Sequence, residues 1–97
     1  QEAQEAKRRA ELLKVAEQDV KNLRSLGVLK QLEPELHRAY VEPLYWHASS
    51  IDVKEGMAIA LARYMEAKEG TRRVEVYDYR SGRRLAKYSS WGFKIED

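Results

Sequence analysis

Ninety-seven residues, of which 43% are hydrophobic and 35% charged, suit a soluble globular chain with one modest core; they exclude a disordered segment and a set of several domains. The absence of cysteine removes disulfides, thiolate metal sites and a cysteine nucleophile together. Net charge is +2 but unevenly placed: residues 1–50 carry eight basic and eight acidic side chains, whereas residues 71–94 carry seven basic ones against Glu75 and Asp78.

Residues 2–26 read as one amphipathic helix. Ala6, Ala10, Leu13, Ala16, Val20 and Leu23 recur at steps of four and three and keep one stripe inward. Leu12, Val15 and Leu26 widen that stripe. The first half is poor in large apolar groups, so it is expected to protrude while Leu12 to Leu26 docks on the body. A coiled coil is the competing reading, and Glu17 interrupts its heptad. Gly27 stands where a left-handed C-terminal cap belongs.

Val28 to Glu33 and Arg38 to Glu42 read as two short strands around a Pro34-Glu35 turn, with a helical reading of Glu35 to Tyr40 competing. Pro43 is expected to stop ladder pairing. Ser49-Ser50-Ile51-Asp52 is a helix-start signal, because its side-chain oxygens can accept the free amides of a first turn. The helix it opens runs to about Lys68 and stops at Gly70. Its broad, alanine-rich face over Met57 to Met65 marks it as the central helix, lying across a sheet. Arg73 to Tyr77 alternates with period two and places Val74 and Val76 on one face. Asp78 favours a turn that Gly82 completes, Leu85 to Ser89 returns as the partner strand, and Gly92 allows a bend before Phe93 and Ile95.

The fold class is therefore α+β. A long N-terminal amphipathic helix over residues 1–27 precedes a compact body over residues 28–97, all in one domain. In the body a small antiparallel sheet, made of two short strands plus the C-terminal β-hairpin, packs on the central helix. No apolar run reaches the roughly 18 residues that would cross a bilayer, and no signal-peptide pattern opens the chain. It begins at Gln1 without methionine, so location stays open: the chain is soluble as it stands, or trimmed of an upstream anchor or export signal.

The text Tyr40-Val41-Glu42-Pro43-Leu44-Tyr45-Trp46, then Lys54, then Leu61-Ala62-Arg63-Tyr64, then Asp78 to Ser89 resembles a group of small uncharacterised bacterial proteins. They share a valine-proline-aromatic segment, a helix opening near a lysine, and a closing hairpin of the form aspartate, two residues, serine-glycine. The resemblance covers about 60% of the chain and omits the first helix. It implies a domain that often follows a membrane anchor or export signal, and it brings no activity with it.

No catalytic constellation is legible. His37 and His47 make no recognised spacing, no glycine-rich phosphate loop exists, and the serines lack a nucleophile-elbow context. Glu33, Glu35, Glu42 and His37 could gather round a metal, but solvated charges beside a turn explain them better. The chain is read as no enzyme, with no cofactor and no small-molecule substrate. Its candidate partner-binding residues are Arg72, Arg73, Tyr77, Tyr79, Arg80, Arg83, Arg84, Lys87 and Trp91. Two tryptophans divide: Trp46, between Leu44-Tyr45 and His47, is expected in the core, and Trp91 fits a core cap or an exposed anchor equally.

The expected function is a non-catalytic protein-interaction or accessory module, engaging a protein partner or a second copy of itself through the N-terminal helix or the hairpin. The alternative is a small nucleic-acid-binding protein, whose hairpin arginines neutralise phosphates while Tyr77, Tyr79 and Tyr88 stack on unpaired bases. Charge on an edge strand, as a guard against aggregation, explains the same cations without any ligand. A toxin-like or phage-encoded inhibitor of this size is a more distant reading.

Overall fold

The computed structural model describes residues 2–96. Helix α1 spans Glu2–Ser25 and ends at Gly27, whose φ of 79° lets the Val28 amide reach back to the Leu23 carbonyl at 3.1 Å. Strands β1 (Leu29–Glu33) and β2 (Arg38–Val41) follow, joined by a 3-10 turn over Pro34–Leu36. The helical alternative for Glu35 to Tyr40 thus survives only as that turn. His37 closes it with φ 55°, and its carbonyl accepts the Glu75 amide at 2.8 Å.

Pro43 does more than end β2. It opens a short helix, α2 (Pro43–Ala48), that the sequence reading missed. Proline suits a first helical position because its fixed φ is already helical and its missing amide would have had no partner there. Helix α3 runs Ile51–Glu69; the Ser50 hydroxyl accepts the Val53 amide at 3.2 Å, and Gly70 ends it with φ 89°. Strands β3 (Val74–Asp78), β4 (Arg84–Ser89) and β5 (Gly92–Ile95) complete the chain.

The sheet has five strands in the order β1-β2-β3-β4-β5, and it is mixed rather than antiparallel. Three neighbouring pairs are antiparallel, whereas β2 and β3 pair in parallel, with Tyr40 opposite Tyr77. The reason is the crossover. A helix between two strands carries the chain back to the end where the first strand began, so the second must run the same way. Gly92 does not merely bend the chain; it closes a tight turn at Ser90-Trp91 from which β5 returns along β4.

One face of the sheet carries the core. Leu29, Ala39, Val41, Val74, Val76, Leu85 and Ala86 are buried there against Met57, Ala58, Leu61, Ala62 and Met65 of α3 and Trp46 of α2. Consecutive burial of Leu85 and Ala86 is explained by a shift in pairing between Val76 and Tyr77, which lets two residues of β4 face one of β3. The same device at Lys30 accounts for the imperfect alternation of β1.

Helix α1 packs on α3 and runs antiparallel to it: Glu17 meets Lys68 at 3.8 Å at one end, and Leu23 lines a groove with Met57 and Ala60 at the other. Only the stripe through Ala16, Val20 and Leu23 is used, with Leu13 half-buried. Leu12, Val15 and Leu26, expected to widen the docking face, are exposed instead. Val15 lies about a third of a turn from the centre of the Ala16-Val20 stripe, so a helix seated on that stripe cannot also bury it, and Leu12 belongs to the exposed part of α1 beyond the Glu17–Lys68 contact. Residues 3–12 are exposed throughout, and α1 extends past the end of α3. No helix among the described residues is long and apolar enough to cross a membrane.

Candidate functional site

The turn between β3 and β4 is built by its own side chains. Asp78 accepts the amides of Arg80 at 2.7 Å and Ser81 at 3.1 Å, and the Ser81 hydroxyl accepts the Arg83 amide at 3.2 Å. Gly82, at φ 76°, donates to the Asp78 carbonyl at 2.8 Å. Burial pulls the Asp78 carboxyl upward, but the amides of Ser81 and Arg80, the Ser81 hydroxyl and the charge of His47 outweigh it and hold the group below its ordinary value. A lowered pKa in the folded state means stability that is present above the ordinary carboxylate range and lost as pH falls through the folded value. Asp78→Ala is therefore expected to cost ~1–2 kcal/mol at neutral pH. The gap to wild type, read from urea midpoints, should narrow only below about pH 4.

Three of the six basic residues first singled out around this hairpin are already neutralised. Arg80 Nε donates to both oxygens of Glu42, at 3.1 and 3.3 Å, and ties the turn to the start of α2. Arg84 reaches Glu96 at 2.8 Å and Glu75 at 3.7 Å. Arg72 reaches Glu66 at 2.8 Å. These arginines are engaged by carboxylates of the chain itself. Arg73, Arg83, Lys87 and Lys94 form no ion pair among the described residues.

Eight of the nine predicted site residues divide between the two ends of the hairpin, roughly 16 Å apart along β3. Tyr79, Arg80 and Arg83 sit in the Asp78–Gly82 turn region. Arg72, Arg73, Arg84, Lys87 and Trp91 come together at the other end, where the loop after α3, the β3–β4 ladder and the β4–β5 turn enclose a groove of about 700 Å³. Trp91 stands at its rim. The Ser89 hydroxyl accepts the Trp91 amide at 3.2 Å, and Gly92 at φ 101° closes the turn, so the indole is held at the tip and left 97% exposed.

Tyr77 belongs to neither end. It lies on the face of the sheet opposite α3, its ring centroid 5.5 Å from that of Tyr40, with the Arg38 guanidinium 5.2 Å from its ring centre. Its hydroxyl donates to Glu75 at 2.7 Å, and that bond lifts the phenol above its usual pKa; Tyr40 is raised in the same way by donating to Glu33 at 2.6 Å. The reading of the sequence missed Arg38 and Tyr40 here. The signal was absent, because only the parallel register places Tyr40 beside Tyr77.

The other sequence candidate, a metal cluster, finds its members elsewhere. Glu33 is engaged by Tyr40, Glu42 by Arg80, and the His37 ring is buried with neither nitrogen hydrogen-bonded. Among the described residues no group of three His, Asp or Glu side chains could hold a metal ion. No protein-family model, no curated protein and no solved structure matches the chain.

Proposed function

We propose that this chain is a non-catalytic interaction module which receives an acidic segment of a protein partner in the groove beside Trp91. The supporting observation is the near-total exposure of that indole in one groove with Arg73 and Lys87, two cations that form no ion pair among the described residues, while the acids that share the groove, Glu66 and Glu75, are engaged by Arg72 and Arg84. Indole is the side chain most enriched at the centres of protein interfaces, and burying even half of it contributes ~2 kcal/mol. Two such cations favour carboxylates on the partner and disfavour a basic one.

Binding of a nucleic acid through the hairpin asks more of the same residues. Arg72, Arg80 and Arg84 would each have to exchange a carboxylate at 2.8–3.1 Å for a phosphate. Each exchange gives up a charge-assisted hydrogen bond for another of the same kind, so little is gained.

Fluorescence separates the two readings, because Trp46 is buried and Trp91 is not. Titration with a short peptide of alternating glutamate and leucine should move the emission to the blue. The shift should vanish in Trp91→Ala, and Arg73→Glu with Lys87→Glu should weaken binding at least tenfold. Oligothymidylate at about 50 mM salt, where phosphate contacts are strongest, should produce no shift. A shift with the oligonucleotide and none with the peptide would overturn the reading, and so would silence from both.

A further inference from the structure

A second surface, independent of the Trp91 groove, lies on α1. Positions 5, 8, 12, 15, 19 and 22 step by three and four along one side of this helix, beside the stripe that docks on α3. Two of them are large apolar side chains facing water, Leu12 at 58% and Val15 at 60% exposure. Towards the C-terminal end the same side opens onto a groove of about 500 Å³. Asp19 and Asn22 form one wall, Arg63 of α3 stands on the other, and Leu23, Ile59 and Ala60 lie between. A helix that leaves its first ten described positions in water gains little from packing there, and a free helical end of this length is marginal by itself.

We infer that α1 pairs antiparallel with α1 of a second copy, about a two-fold axis passing between Leu12 and Val15. The charges select this arrangement. With the axis there, Leu12 of each copy meets Val15 of the other, Arg8 meets Asp19, and Glu5 comes beside Asn22 and Arg63. Each favourable contact then occurs twice, as a two-fold interface requires. Parallel pairing would set Arg8 against Arg8 and Asp19 against Asp19. Sliding the antiparallel pair by one heptad either way places Leu12 and Val15 opposite Arg8 and Glu5, or opposite Asn22 and Asp19, and buries polar groups against apolar ones. The exposed half of α1 in one copy thereby fills the α1–α3 groove of the other.

Sedimentation equilibrium of the full chain from about 5 µM to 0.5 mM tests the pairing, with far-UV circular dichroism confirming that every variant keeps its helix. The wild type is expected to move from monomer to dimer across that range. Arg8→Asp and Asp19→Arg should each raise the dimer Kd at least tenfold, because each sets like charges face to face at two places. The double variant Arg8→Asp with Asp19→Arg should return to within about threefold of wild type. Val15→Glu should abolish the dimer, whereas Trp91→Ala should leave it unchanged. A wild type that stays monomeric to 0.5 mM would sink the inference. So would a double variant no tighter than the singles, or a dimer indifferent to Val15→Glu, since each shows that something other than a second copy covers this face.

Discussion

Trp46→Ala should lower the stability of the chain by ~3–5 kcal/mol, the largest loss expected of any single substitution. Trp46 is 0% exposed although it sits on a helix of only six residues, α2, between the sheet and the start of α3. Its removal opens a cavity that helices and sheet would have to close together. For a domain of this size the total stability is ~5–15 kcal/mol, and a loss of this order corresponds to a fall in Tm of about 15–30 °C. Thermal melts followed by circular dichroism measure it directly. A control sharpens the expectation. The indole nitrogen of Trp46 makes no hydrogen bond, so Trp46→Phe sacrifices packing volume but no hydrogen bond, and a phenyl ring keeps an aromatic face for the Lys54 ammonium that lies 5.8 Å from the indole. Its cost should be about 1–2 kcal/mol, well under half that of the alanine variant.

Leu61→Ala should cost ~3 kcal/mol, while Leu12→Ala should cost under about 0.5 kcal/mol. Both leucines lie on helices, and the alanine replacement is favourable to helix formation at either site. What differs is the surroundings. Leu61 is 1% exposed, wedged between α3 and the sheet, and Leu12 is 58% exposed. Urea unfolding at a protein concentration below about 5 µM gives the monomer value for both. A Leu12→Ala loss comparable with that of Leu61→Ala would mean that α1 packs otherwise than described.

Those two helices show what the amino-acid text could reveal and what it could not. The extent of α3 was legible because its signals are local: Ser50 before the first turn, Gly70 after the last, and an apolar row between. The Asp78 turn was legible for the same reason, since its hydrogen bonds span two to four residues. Helix α2 was not, because six residues after a proline are too few to show a period and their apolar run reads equally as extended chain. Parallel pairing of β2 with β3 was not legible either, being decided by how α3 crosses the sheet.

The candidate site was half legible. Its cationic residues could be counted along the chain, but their neutralisation depends on partners far away in it. Glu42 and Arg80 stand 38 residues apart, and Glu96 and Arg84 meet only because β5 folds back along β4. What remained after those pairings, Arg73 and Lys87 beside Trp91, emerged by subtraction. The exposure of Leu12 and Val15 was hidden in another way. Both residues are apolar and lie next to the docking stripe, but α3 takes the side through Ala16, Val20 and Leu23, and nothing in the composition of Leu12 and Val15 marks where the contact with α3 ends.

In the strand order β1-β2-β3-β4-β5, every neighbour in space is also a neighbour in sequence. Three of the four strand pairings can therefore form by closing a short loop: β1 with β2 across a 3-10 turn, and β4 with both β3 and β5 across turns. One closure, between β2 and β3, must wait for α3 to form and land. The order of events on folding is thus a joining of two local ribbons across a single long loop, and such a chain should reach its native state in milliseconds rather than seconds. That central ladder, where Tyr40 faces Tyr77, is the seam along which the two halves are expected to meet last.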